Sequence, residues 1–166
     1  MGAGVFQPYI IDEPLAAALG ARLPVDEPTA NMIVDIGGGT TEVAIISMAG
    51  TVIAKSLKIA GDKLNDDIMR FVRDEFKLAI GEATAEEIKL VVGSAIPLTE
   101  KLEMTVRGRD LLSGLPKEII VRDTHVRAAI TKSLRAIVES IREVLELAPP
   151  ELAGDILESG IILTGG

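Results

Sequence analysis

The sequence predicts an α/β fold with a smaller α+β segment inserted into it, and three observations lead there. Apolar runs over residues 31–36, 41–48 and 51–59 are joined by tight connections and read as an antiparallel meander. Helical periodicities follow, with a short mixed stretch between them. A last apolar run, Ile161-Ile162-Leu163, then reads as a buried strand. A meander followed by helix-separated strands is a layered arrangement of mixed sheet and helices, not a sandwich.

Each element has a local reason. Asp12-Glu13-Pro14 places acids and a proline where a helix begins, Leu15 to Leu19 are strong helix formers, and Gly20 is a plausible stop. Residues 23–30, with prolines at 24 and 28, read as a loop. The second and third strands of the meander meet at Ala49-Gly50. Gly61 opens a helix whose apolar positions Leu64, Ile68, Phe71, Val72 and Phe76 recur at three- and four-residue spacing. A further helix is expected over 84–92, with Thr84 as N-cap and Glu87 completing a capping box. Leu102, Met104 and Val106 alternate with polar residues as a half-buried strand does. Residues 108–116 form a turn region, and 118–122 supply the partner strand. Asp123 or Thr124 caps the longest helix, whose stripe runs through Val126, Ile130, Leu134, Ile137, Ile141, Val144 and Leu145. Pro149-Pro150 ends it, and a short helix through Leu157 leads to the final strand.

Composition narrows the function. A net charge of −8 over 166 residues excludes a general nucleic-acid binder, which carries a basic stripe. With no cysteine there is no disulfide and no thiolate zinc site, which fits a cytoplasmic protein. No apolar run approaches the roughly 18 residues of a membrane span, and the N-terminus lacks the basic region of a secretory signal. The lone His125 excludes a multi-histidine metal site and reads as a solvated residue at a helix start. Residues 1–8 have no periodicity and read as linker.

The stretch Asp35-Ile36-Gly37-Gly38-Gly39-Thr40-Thr41-Glu42 carries the chemistry. Three residues without Cβ atoms let successive backbone N–H groups face one concavity, which suits a phosphate. An aspartate at the end of the entering strand is placed to hold a hydrated metal ion beside it. The competing reading is a hairpin turn that needs positive φ.

With these residues in place the chain resembles the MreB/Mbl bacterial actins of the actin/Hsp70 nucleotide-binding superfamily. Ile11-Asp12-Glu13-Pro14-Leu15-Ala16-Ala17-Ala18 is similar to the family's first connecting helix. Residues 35–42 resemble its second phosphate loop, and Leu163-Thr164-Gly165-Gly166 the start of its adenosine loop. Ala60-Gly61-Asp62-Lys63-Leu64, Thr84-Ala85-Glu86-Glu87-Ile88-Lys89 and Arg107-Gly108-Arg109-Asp110-Leu111 favour these actins over the Hsp70 branch. The first phosphate loop of the family has no counterpart here. The resemblance therefore implies the second lobe alone: subdomain IIA over 9–60 and 123–166, and insertion subdomain IIB over 61–122.

The resemblance implies binding of ATP or ADP with Mg2+, and hydrolysis coupled to filament assembly. Asp35 would hold a magnesium-bound water or the attacking water, and Gly37, Gly38 and Gly39 would cradle the phosphates. Glu13 would orient or activate the attacking water, with Thr40 as its partner across the site, and Thr40 and Thr41 would also contact the nucleotide. Glu86 and Lys89 would contact the ribose and adenosine, and Gly165 and Gly166 would let the backbone approach the nucleotide. Self-association into filaments, a RodZ-like membrane partner on subdomain IIA, and a place at the inner face of the membrane follow for the intact protein. No direct membrane insertion is expected of this part. Half of the phosphate clamp being absent, weak nucleotide binding without turnover is the expectation. A partner-docking module without nucleotide chemistry and an Hsp70-type ATPase fragment are the alternatives.

Overall fold

The computed structural model describes residues 9–166. The expectation of a linker at 1–8 lies outside the described residues. In chain order the elements are α1 (Glu13–Gly20), β1 (Asn31–Ile36), β2 (Thr41–Ser47), β3 (Gly50–Leu57), α2 (Gly61–Phe76), β4 (Leu78–Ala79), α3 (Glu82–Val92), β5 (Glu103–Asp110), β6 (Pro116–Arg122), α4 (Asp123–Leu147), α5 (Pro150–Ser159) and β7 (Ile161–Gly165). They divide into two compact units. The first runs up to Ile36 and includes Thr41–Leu57 and Ser140–Gly166; the second comprises Gly37–Thr40 and Lys58–Glu139.

The first unit is a four-stranded mixed sheet in the order β3-β2-β1-β7. The strands β1, β2 and β3 pair antiparallel, and β7 adds to β1 in parallel. The period-2 geometry of a strand explains why the central runs are apolar throughout. Met32, Val34, Val43 and Ile45 pack on one face against Val144 of α4 and Ile156 of α5. Ile33, Ala44 and Ile46 pack on the other against Ala18 of α1 and Val25. Both faces are covered, so neither strand has a polar side. The register follows from this arrangement, with Met32 opposite Ile45 and Val34 opposite Val43, because a one-residue slip would exchange the two faces.

The connection between β2 and β3 lies one residue earlier than its sequence suggests. Gly50 is already in β3, paired with Ser47, and the two turn residues are Met48 and Ala49, at φ 51° and 56°. Left-handed backbone at both central positions matches the twist of a two-residue hairpin. Asn-Gly would be the usual sequence there. The turn is held from outside, because the N–H groups of Met48 and Ala49 donate to the carbonyls of Glu27 (3.0 Å) and Val25 (2.7 Å).

The second unit packs α2, α3 and α4 as far as Glu139 around a three-stranded antiparallel sheet ordered β4-β5-β6. Its core joins Ile68 and Val72 of α2, Leu78 of β4, Ile88 and Val92 of α3, Val106, Val121, and Val126 and Ile130 of α4. Several boundaries correct the sequence reading. Helix α3 begins at Glu82 behind Gly81, without a side-chain cap, so Thr84 is inside the first turn and forms no capping box. The acid Glu82 serves the helix dipole instead. Strand β5 continues through Gly108 to Asp110, where a turn was expected. A Cβ on Gly108 would collide with the Ala79 carbonyl and the Leu78 side chain, so glycine is what lets β4 pair there. His125 is not a solvated surface residue. Its ring stacks on Phe71 at 6.0 Å and meets Phe76 edge-on at 5.2 Å, and its Nδ1 accepts the Arg122 N–H at 3.2 Å. That bond closes the entrance of α4 in the manner of a capping box.

Two stability measurements check this account. Ile45 is fully buried, so urea unfolding of Ile45→Ala should show a loss of about 2–5 kcal/mol. Ala49→Gly should move the other way, gaining up to about 1 kcal/mol by relieving left-handed backbone on a residue with a Cβ.

Candidate functional site

The glycine loop is organised by the helix that follows the meander. The N–H of Gly61 donates to the Gly37 carbonyl at 3.0 Å, and that of Asp62 to the Gly38 carbonyl at 2.9 Å. These are first-turn donors of α2, which have no partner inside the helix. A trans peptide points its C=O and the following N–H in opposite directions. With the carbonyls of Gly37 and Gly38 turned into α2, the N–H groups of Gly38 and Gly39 are carried to the opposite side. Among the described residues neither donates to a backbone carbonyl. The Gly37 N–H closes the turn on the Thr40 carbonyl at 3.0 Å. The loop thus presents two adjacent N–H donors, the arrangement that binds anions.

The glycines there answer no internal need. None of Gly37, Gly38 and Gly39 has positive φ, which removes the competing reading of a turn demanding left-handed residues. A Cβ on Gly39 would meet nothing within 4 Å, and on Gly38 only the Asp62 carboxylate, at 3.4 Å. What their missing side chains supply is open space over the N–H groups.

Glu86 and Lys89 meet in the same unit. Glu86 Oε2 accepts from Lys89 Nζ at 2.6 Å and from Asn65 Nδ2 at 2.7 Å. Lys89 Nζ also donates to the Gly61 carbonyl at 3.3 Å, so α3 is tied to the residue that anchors the glycine loop. The Lys89 hydrogen bond, then that of Asn65, holds the Glu86 carboxyl below its usual range, against the opposing effect of burial. Asp62, Asn65 and Glu86 line an open cleft of about 370 Å3 with Glu82 and Ala83. Asn65 was not singled out in the sequence. It is 3% exposed, and its Oδ1 has no hydrogen-bond partner among the described residues. The signal was available: an asparagine three positions before Ile68 sits on the apolar stripe of α2, where a polar residue needs a reason.

The remaining candidates belong to the first unit. Asp35 ends β1, opposite Glu42 on β2 and Thr164 on β7. Gly165 follows Thr164 at φ 102°, and a Cβ there would strike the Ile36 carbonyl and come within 2.9 Å of Asp35 Oδ1. The Gly166 N–H donates to the Ile36 carbonyl at 3.1 Å. Asp35 and Gly165 thus share the carboxyl ends of adjacent parallel strands, where ligands bind in sheets of this kind. Glu13 is exposed in the first turn of α1, whose preceding Asp12 accepts from Thr51 Oγ1 at 3.4 Å. Thr40 is partly exposed, whereas Thr41 is fully buried and offers no surface to a ligand. No cluster of three metal-ligating side chains occurs among the described residues. Asp35, with Glu42 opposite it on β2, offers a carboxylate of the kind Mg2+ takes, one or two such groups commonly holding it together with phosphate oxygens and water.

A family model described as MreB/Mbl protein matches residues 1–166. The chain is 48% identical over 165 residues to the cell shape-determining protein MreB of Escherichia coli (strain K12), covering 99% of this chain and 48% of that protein. To the cell shape-determining protein Mbl of Bacillus subtilis (strain 168) it is 46% identical over 158 residues, covering 95% and 47%. It thus spans about half the length of these curated relatives. Among solved structures, MreB5 of Spiroplasma citri bound to ADP superposes with a TM-score of 0.92 at 42% identity, over 95% of this chain and 48% of that one. The AMPPNP-bound form of MreB5 gives 0.90 at the same identity, over 93% and 46%. A MamK mutant bound to AMPPNP shares the fold, with a TM-score of 0.71 at 23% identity over 93% and 45%.

Glu86 offers a direct test of the network. Removing the cation in Lys89→Met should raise the Glu86 pKa toward the ordinary 4.5, read by carboxyl-detected NMR titration. Because the folded value is the lowered one, the stabilisation from this carboxylate is present above the ordinary range and lost as pH falls through the lowered value. In the variant, that part of the acid dependence of unfolding should shrink.

Proposed function

The chain belongs to the MreB/Mbl family of cell shape-determining, actin-like proteins, and on that footing we propose that it is an ATP-binding lobe of a filament-forming bacterial actin. The observation that carries the reading is the pair of Gly38 and Gly39 N–H groups, held outward by α2 at positions whose glycines serve no need of the fold. The 42%-identical MreB5 is described as bound to AMPPNP and to ADP, which agrees with a phosphate at such a loop.

In this reading the two loop amides bind terminal phosphate oxygens and place charge-stabilising donors where negative charge concentrates. Glu86, kept ionised by Lys89 and Asn65, accepts hydrogen bonds from ribose hydroxyls. Asp35 would hold magnesium, which when bound would supply positive charge against the phosphates. Gly165 and Gly166 leave room for the nucleotide near the ends of β1 and β7. Glu13 is assigned to orienting the attacking water, a positioning role of the kind phosphoryl transfer depends on, and Thr40, at the end of the glycine loop, is assigned to the same task. The same reading assigns self-association into filaments at the inner face of the membrane, and a RodZ-like partner on the first unit. There the protein directs cell shape and wall synthesis.

Titration of the 15N-labelled chain with Mg2+ and ATP should shift the amides of Gly38, Gly39 and Thr40 first. Gly39→Ala separates binding from folding. Open space surrounds that position and its φ is ordinary, so thermal stability should hold or rise by about 0.4–1 kcal/mol. Nucleotide binding should fall roughly tenfold or more through the close approach it blocks. Unchanged nucleotide affinity in Gly39→Ala would refute the assignment.

A further inference from the structure

We propose that the groove between α2 and α4 of the second unit is a binding site for a phosphate group, separate from the glycine loop. Lys63, Asp67 and Arg70 follow one another at helical spacing on α2 and line a concavity of about 230 Å3 with Lys132 and Ser133 of α4. One wall is fixed. Ser133 is 4% exposed and its Oγ donates to Asp67 Oδ2, while Asp67 Oδ1 takes the ammonium of Lys63. Both carboxylate oxygens are therefore committed, and Asp67 neutralises one cation.

Two more cations line the same concavity without compensation. Arg70 and Lys132 are exposed, and neither forms an ion pair among the described residues. With Lys63 and Asp67 the lining carries three positive charges and one negative, in a chain whose formal net charge is −8. Like charges held near one concavity repel unless an anion is shared between them. A single carboxylate would satisfy only one of the two. A phosphate dianion matches both: the guanidinium fork of Arg70 suits two of its oxygens and Lys132 supplies a point charge for a third. Arg70 also borders a neighbouring concavity with Asp66 and Arg73, so the Asp66 carboxylate is the nearby anion with which phosphate would compete for it.

The test is amide and arginine side-chain NMR of the 15N-labelled chain, titrated with inorganic phosphate and, separately, with glycerol 3-phosphate. Sodium chloride at matched ionic strength is the control. The expected result is a saturable shift of Lys63, Asp67, Lys132 and Ser133 amides and of Arg70 Nε. Arg70→Gln and Lys132→Gln, both at exposed positions, should each weaken it roughly tenfold while the rest of the spectrum stays in place. Saturation by inorganic phosphate alone assigns the site to the free ion, and saturation by both assigns it to phosphate monoesters as well; either supports the proposal. Shifts that follow ionic strength alone, that map only to Gly37–Thr40, or that persist in the Arg70→Gln/Lys132→Gln double variant would overturn it.

Discussion

Two backbone hydrogen bonds, from Gly61 and Asp62 to the carbonyls of Gly37 and Gly38, set the character of this molecule. They satisfy donors that a helix start always leaves over, and in doing so they orient two peptide planes of the glycine loop. Side chains then refine what the backbone has arranged. Lys89 joins the same helix start from α3, and Glu86 and Asn65 follow it into one network. The anion binding proposed for this loop would therefore depend on peptide geometry first and on charge second, which suits a chain as acidic as this one.

The two units solve the burial problem differently. In the first, β1 and β2 are covered on both faces, and aliphatic side chains of opposite parity serve different helices. In the second, a smaller sheet is completed by helices whose apolar stripes converge on a single core. Very low aromatic content leaves the packing to Ile, Val, Leu and Ala. The rings of Phe71, Phe76 and His125 are the exception, gathered where α2 and α4 approach.

Much of this was legible in the sequence because the signals were periodic. The meander, the stripes of α2 and α4 and the final strand all repeat at the spacing their geometry demands, and the layered α/β architecture follows from their order; the actin-like fold was legible through the resemblance of the motifs at 11–18, 35–42 and 163–166. Less was legible where one contact decides. Two residues cannot display a period, so β4 was invisible until its partner strand was seen. Thr84 had the chemistry of a cap, but Gly81 and Glu82 already opened the helix. The Met48–Ala49 turn has no glycine in its left-handed positions, so the sequence pointed one residue too late. His125 carried no sign of the two phenylalanines that reach it from another helix. For the site, the residue types of the glycine loop were plain, whereas the supporting role of Asn65 needed the neighbours that only folding brings.

The position of β7 bears on how the chain reaches this structure. Strand β1 has two neighbours in the sheet: β2, joined to it by a four-residue loop, and β7, whose Ile161 must find Met32 across almost the whole chain. Closing so large a loop is slow compared with forming a hairpin. Until β7 arrives, β1 presents an unpaired edge that is apolar on both sides, the kind of template that recruits strands from other molecules. Asp35 and Glu42, paired across the top of the hairpin, are the charges available to discourage that. The carboxylate proposed to serve a metal ion would thus also be the local guard of the least protected edge during folding.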